Sequence, residues 1–386
     1  MSRRAIPDHV QAPAPAATSP LTWLLAIALV AAIDVAITRT PPLWGKTDTW
    51  IKSGLDRAYI WQTYDVARTI FHPRRDAATR VEILGNSRVW FPAREAYVER
   101  ALHERAPDLD VRVDNLAFFG AHIGDLEVVA RHLDRLRPSL VILAISGPDL
   151  VATSWGDLLN PTGELLDIGW RDGSIPPASM AARVDRWVRT VWPLFRLRRF
   201  VRQRIVDALS PVASDQRFPD RVESRQAYFD YMAGSERGAR SGAAYEHWRQ
   251  HPTLEGFVEY LGGGKGPYGV TEPVPPPESL SLDGPGFVVL DHLLARLAAE
   301  PYPTVILLMP ENPLLDADNA GTYHRPGFSD RATALIEQVA ARHRIRVVDG
   351  RRWMPADRFV DFVHVFPDVS GCQDLLANEI LHALGS

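Results

Sequence analysis

Residues 140 to 145, Leu-Val-Ile-Leu-Ala-Ile, form an unbroken apolar run. A strand with one wet face alternates apolar and polar residues. A run without alternation belongs to a strand covered on both faces, which is the habit of parallel sheets held between helices. Thr304 to Met309 has the same character, and Val81 to Leu84 is a shorter buried strand. Val111 to Leu116 and Ile345 to Val348 complete a set of five. Between and after them lie stretches of helical periodicity, at Ala93 to Glu104, Gly124 to Leu136, Gly286 to Ala299, Ser329 to Arg342 and Val369 to Leu384. Strands alternating with helices in this way predict an α/β protein: a flavodoxin-like, doubly wound, five-stranded parallel sheet in a three-layer α/β/α sandwich.

The alternation lapses once. From Leu150 to Gly284 the chain reads as a long helical insertion after strand three, a lid or cap. It contains a basic helix, Ala181 to Ile205, with eight arginines and a kink expected at Pro193. Such a helix suits either an anionic membrane surface or a solvated cap face paired with acids such as Asp207 and Asp215. Trp187, Trp192, Tyr228 and Tyr231 would line a sugar site or fill the core of the cap. Gly262 to Gly269 is glycine-rich around Lys265, but no Ser or Thr follows the lysine and no apolar strand precedes the glycines. A phosphate-binding loop is therefore not expected there.

The N-terminal part has its own organisation. Residues 1–19 are rich in Pro and Ala, without hydrophobic period, and are expected to be disordered. Leu21 to Ile37 is apolar apart from Thr22 and Asp34, and the segment 20–38 has about the length that crosses a bilayer core as a helix. A cleaved signal peptide and a buried core helix are the alternatives. The lack of a clean small-x-small cleavage site favours an uncleaved signal anchor. Arg3 and Arg4 favour a cytoplasmic tail and an extracytoplasmic (periplasmic or extracellular) catalytic domain, against the pull of Arg39 and Lys46. Residues 39–78 then connect to a compact domain over 79–386.

Composition narrows the chemistry. A net charge of −4 without a clustered basic footprint argues against nucleic acid as a partner. The single cysteine, Cys372, excludes an internal disulfide and any multi-cysteine metal site. His122 and His132 have no partner at metal-ligand spacing, so no metal is expected. No cofactor motif is present.

Polar residues just after parallel strands share one crevice at the carboxyl edge of the sheet. Gly85-Asn86-Ser87 follows strand one, Gly120 follows strand two, and Ser146-Gly147-Pro148-Asp149 follows strand three. Asp361-x-x-His364 lies between strand five and the last helix. A serine hydroxyl needs a base and donors for the developing oxyanion. His364 suits the base, and Asp361, three residues earlier, suits the group that orients it. The backbone N–H groups of Ser87 and Gly120 suit the oxyanion hole. Read singly, Ser87 is a helix N-cap, His364 a structural histidine and Asp361 a turn residue. Only the set in this order points to catalysis.

This set resembles the SGNH/GDSL hydrolase superfamily of serine esterases and acyltransferases, over about 80 to 150 and 285 to 386. Gly85-Asn86-Ser87, Gly120 and Asp361-x-x-His364 match its first, second and last blocks. The resemblance implies a membrane-anchored esterase or O-acyltransferase of the cell envelope with a Ser87–His364–Asp361 triad. It further implies an acylated glycan or similar acceptor and, for a transferase, a multispanning membrane acyltransferase partner. The third block departs from the family pattern: Pro148 or Asp149 stands where an asparagine amide would donate to the oxyanion. Proline lacks an N–H, and an ionised aspartate only accepts. A third donor would then come from the Asn86 side chain, or from Asp149 kept protonated. A lipase or general carboxylesterase is one rival reading; a non-catalytic assembly or binding subunit is the other.

Overall fold

The computed structural model describes residues 19–39, 66, 69–70, 79–118, 120–151, 180, 184, 187–188, 275–314, 327–359, 363–366 and 371–385. The described strands are β1 (Thr79–Leu84), β2 (Val111–Asn115), β3 (Leu140–Ile145), β4 (Thr304–Leu308) and β5 (Arg346–Asp349). They form a single sheet in the order β2-β1-β3-β4-β5, with every pairing parallel. The winding reverses between β1 and β3. Their carboxyl ends therefore flank the point where a doubly wound sheet opens a crevice.

The described helices are α1 (Pro20–Arg39), α2 (Ser87–Trp90), α3 (Glu95–Arg105), α4 (Ile123–Ala130), α5 (Pro285–Ala298), α6 (Phe328–Arg342) and α7 (Cys372–Leu384). The period-2 geometry of the strands sorts the core into two layers. Val81, Ile83, Leu140, Ile142, Ala144, Val305 and Leu307 pack with α2, α3 and α7. Leu84, Val141, Leu143, Ile145, Ile306 and Leu308 face the other way, into a core shared with α4, α5 and α6. Every residue of β3 is buried, as its unbroken apolar run predicts. Each fully buried aliphatic side chain of these layers stabilises the fold by roughly 1.5–3 kcal/mol relative to leaving it exposed. Val66 and Ile70, from the connecting segment, are buried in the second core and belong to it.

Where the elements differ from the sequence reading, local chemistry explains it. The helix expected through Leu136 stops at Ala130, and a 3-10 turn covers Leu133–Arg135. Arg137 then takes a left-handed conformation (φ 51) just before Pro138, so the chain reverses into β3. A short helix at Ser87–Trp90 was not foreseen; it ends because Pro92 has no N–H to continue the ladder. Gly85 precedes it for a steric reason. A Cβ there would meet Val89 Cγ1 at 2.5 Å and the Ala144 carbonyl oxygen at 2.7 Å.

The insertion after β3 lies outside the described residues except at a few positions. Among these, Trp187 is 65% exposed, so it is not part of a cap core. Trp192, Tyr228 and Tyr231 fall outside the description. Helix α1 is 20 residues long, and its described side chains end at Ala32. Leu21, Leu24, Leu25, Ile27 and Leu29 are all exposed. Among the described residues, no helix is long and apolar enough to cross a membrane.

Candidate active site

Asn86, between β1 and α2, is the helix cap, with extended backbone angles (φ −109, ψ −162). Its side-chain Oδ1 accepts from Arg88 N at 3.0 Å. Capping is thus done by Asn86 and not by Ser87, which becomes the first residue of the helix with its hydroxyl unspent on the backbone. Ser87 Oγ lies 2.8 Å from His364 Nε2 although 277 residues separate them. That is hydrogen-bond distance for a nucleophile and its base. If the hydroxyl donates, the proton of the neutral imidazole sits on Nδ1.

Two elements hold His364 in place. The chain around it folds back as an antiparallel bridge between Phe359 and Val365, and Phe366 N donates to the Arg358 carbonyl at 2.9 Å. Phe359, Val365, Met354 and Cys372 form a small apolar cluster that seats this loop at the start of α7. Phe91, buried at the end of α2, meets the imidazole edge to face with ring centroids 5.1 Å apart. This leaves His364 only 5% exposed. Asp361 lies outside the described residues. Burial pushes the Cys372 thiol up to about 12, which keeps it inert beside the site.

The loop after β2 is tied to the nucleophile turn. Leu116 N donates to the Ile83 carbonyl (2.8 Å) and Phe118 N to the Gly85 carbonyl (3.3 Å), extending the pairing beyond both strands. Buried Asn115 donates to the Ala93 carbonyl at 2.9 Å and accepts from Ala117 N at 3.0 Å. Gly120, just beyond this loop, is exposed and at φ 64. The φ is one that glycine adopts without the cost a Cβ would add. Among the described residues, neither the Ser87 N–H nor the Gly120 N–H donates a backbone hydrogen bond, so both stay open to a ligand.

Asp149, the residue at odds with the third block, is an acceptor. Its Oδ2 accepts from Ser146 N and Ser146 Oγ, both at 2.8 Å, and its Oδ1 accepts from Asn86 Nδ2 at 2.6 Å. With both oxygens engaged as acceptors, Asp149 is not arranged as the oxyanion donor considered from sequence. Instead it orients the amide that was the other candidate. The Asn86 Nδ2 has two hydrogens; one goes to Asp149 and the second remains. Sequence reasoning missed this pairing, the Phe91–His364 contact and the Asn115 brace. Only the last carried a signal, an asparagine closing an apolar strand.

No family model and no curated protein matches the chain. Among solved structures, an alpha/beta hydrolase enzyme from the metagenome of Lake Arreo, Spain, aligns at 14% identity with a TM-score of 0.36. It spans 80% of this chain and 96% of its own. A gut microbial diltiazem-metabolizing enzyme aligns at 11% identity with a TM-score of 0.35, over 80% of this chain and 47% of its own. Likenesses this loose carry no argument about fold or chemistry. The class rests on the molecule itself: a doubly wound α/β sheet bearing a serine–histidine pair at its switch point.

Proposed function

We propose that the protein is a serine-dependent acyl ester hydrolase or O-acyltransferase of the SGNH type. The observation that carries this reading is the 2.8 Å approach of Ser87 Oγ to His364 Nε2 at the carboxyl edge of the sheet. Ser87 Oγ attacks the acyl carbonyl while His364 Nε2 takes its proton, and Asp361 orients the imidazole. The oxyanion faces the N–H groups of Ser87 and Gly120 and the second Nδ2 hydrogen of Asn86. The carbon–oxygen bond to the leaving alcohol breaks, the alcohol takes the proton from His364, and Ser87 keeps the acyl group. Water, or the hydroxyl of an acceptor, then attacks that ester by the reverse proton path.

In this reading α1 holds the chain at a membrane, and the catalytic domain works outside the cytoplasm. It acts on an acylated envelope glycan or similar acceptor, receiving acyl groups from a multispanning membrane acyltransferase where it transfers them. The resemblance of motifs supports that part. The exposed apolar side chains of α1 support the anchor, since leucines open to water on successive residues call for a nonaqueous partner. Exposed Met180, Val184 and Trp187, at helical spacing, would rest on the same membrane.

The test is labelling of the purified full chain with a fluorophosphonate probe, alongside turnover of 4-nitrophenyl acetate. Labelling and turnover that vanish in Ser87→Ala support the enzyme. A folded wild-type chain that neither labels nor turns over would instead fit an assembly or binding subunit.

A further inference from the structure

Three arginines are buried to more than nine-tenths among the described residues: Arg80 (6% exposed), Arg88 (7%) and Arg94 (1%). Two of them are accounted for. Arg80 pairs with Asp114 at 2.6 Å and Glu82 at 3.6 Å. Arg94 donates to the Tyr97 hydroxyl at 3.2 Å and stacks its guanidinium 4.5 Å from the centre of the Tyr97 ring. The Arg88 backbone N–H is bound by Asn86, but its guanidinium has neither an acid within 4 Å nor a hydrogen-bond acceptor among the described residues.

A guanidinium keeps its charge, and no Arg88 nitrogen is among the fully buried atoms left without a partner, so its stem is buried while the charged head reaches solvent. Its position is equally specific. Arg88 follows Ser87 directly in α2. Successive side chains on a helix turn by about 100°, so Arg88 leaves the same turn of α2 as Ser87, on an adjoining face. Val89 and Trp90, the next two residues, enter the apolar core.

We propose that Arg88 binds an anionic group of the substrate, a carboxylate or phosphate beside the ester that Ser87 attacks. Its fork of N–H donors matches the oxygen spacing of either group. The inference deepens the serine-enzyme reading and rests on it for what sits beside the anion. The negative group belongs either to the acyl chain or to the acceptor, and the guanidinium–oxyanion chemistry is the same for both.

The experiment uses the purified full chain, with Arg88→Gln and Arg88→Lys beside wild type. Steady-state kcat/KM is measured for neutral 4-nitrophenyl acetate and for the singly charged 4-nitrophenyl hydrogen succinate, with inorganic phosphate as inhibitor. An anion in the acyl chain predicts that the succinate-to-acetate ratio falls about 10- to 100-fold in Arg88→Gln, the loss expected for a charged hydrogen bond. Arg88→Lys would recover part of it. An anion in the acceptor predicts an unchanged ratio, with the phosphate inhibition constant raised by the same factor. If neither quantity moves in a folded Arg88→Gln or Arg88→Lys chain, the proposal is overturned.

Calorimetric binding of phosphate and succinate to Ser87→Ala separates this from the reading it rests on. Anion binding that depends on Arg88, in a protein whose wild type neither labels nor turns over ester, keeps the anion site and sinks the serine enzyme. Ester turnover without any Arg88-dependent anion effect does the reverse.

Discussion

The two ends of β1 handle buried polarity in opposite ways. At the amino end, Arg80, Glu82 and Asp114 sit on one face with Arg112, and the two arginines answer Asp114. Arg80 and Arg112 both bond Asp114, while Glu82, 3.6 Å from Arg80, has no hydrogen-bond partner for either carboxyl oxygen among the described residues. At the carboxyl end, Asn86, Ser87, Arg88 and His364 hold one another in place yet keep capacity to spare. The spare groups are an amide hydrogen, two backbone N–H groups and a guanidinium. The paired Arg80–Asp114–Arg112 cluster serves the fold, whereas the open end is arranged for something that arrives. The difference shows that burial alone does not mark a site; unspent capacity gathered beside a serine–histidine pair does.

Breaking the open end should abolish chemistry and leave the fold. Ser87→Ala or His364→Ala should lower kcat for 4-nitrophenyl acetate by about 10⁴- to 10⁶-fold, with a wild-type denaturation midpoint. A residual rate within tenfold of wild type in either variant would remove the serine–histidine reading. Breaking the closed end should do the converse. Arg80→Ala leaves buried Asp114 with Arg112 alone, so stability in urea should fall by about 3–5 kcal/mol. The kcat of the surviving folded fraction should stay at the wild-type value. An Arg80→Ala chain of wild-type stability would show that the network is not holding the fold.

A subtler cut separates holding from reacting within the site. Asp149→Ala frees the Asn86 amide without touching Ser87 or His364, and should lower kcat about 10- to 100-fold with little change in KM. Loss confined to KM would place Asp149 in substrate binding instead.

The smallest effect is one of pH. Glu82 is held well above the ordinary carboxylate range, first by burial and then by Asp114, with Arg80 and Arg112 opposing. Between its unfolded value near 4.5 and the raised folded value, the native state binds more protons than the unfolded chain. Stability should therefore fall as pH rises through that window, with a slope of at most about 1.4 kcal/mol per pH unit. Glu82→Gln should flatten the curve of denaturation midpoint against pH from 5 to 8. Parallel curves for the two proteins would show that Glu82 is ionised in the fold.

Much of this architecture was legible beforehand. The unbroken run at 140–145 announced a doubly covered strand. All five strands lie within two residues of where periodicity put them, because a strand's burial pattern is written in its own residues. The short helix after Ser87 escaped notice, since four residues carry no period. So did the exchange of roles between Asn86 and Asp149. The sequence offered Asp149 only as a misfit in a motif, and an acceptor's use cannot be judged until its donor is seen. The readings for Asp361 and for the insertion fall on residues outside the description.

What the sequence determined by itself was local: which segments are strands, which are helices, and that polar residues cluster after strand ends. These follow from side-chain period and from glycine and proline chemistry, which act over a few residues. Only the tertiary structure decided which groups meet. Bringing Ser87 within 2.8 Å of His364 depends on strand order and on a loop seated by Phe359 and Val365. Leaving the Arg88 guanidinium without a partner among the described residues depends on every described side chain that might have reached it and does not. Pairing and non-pairing across 277 residues are properties of packing, and no local pattern encodes them.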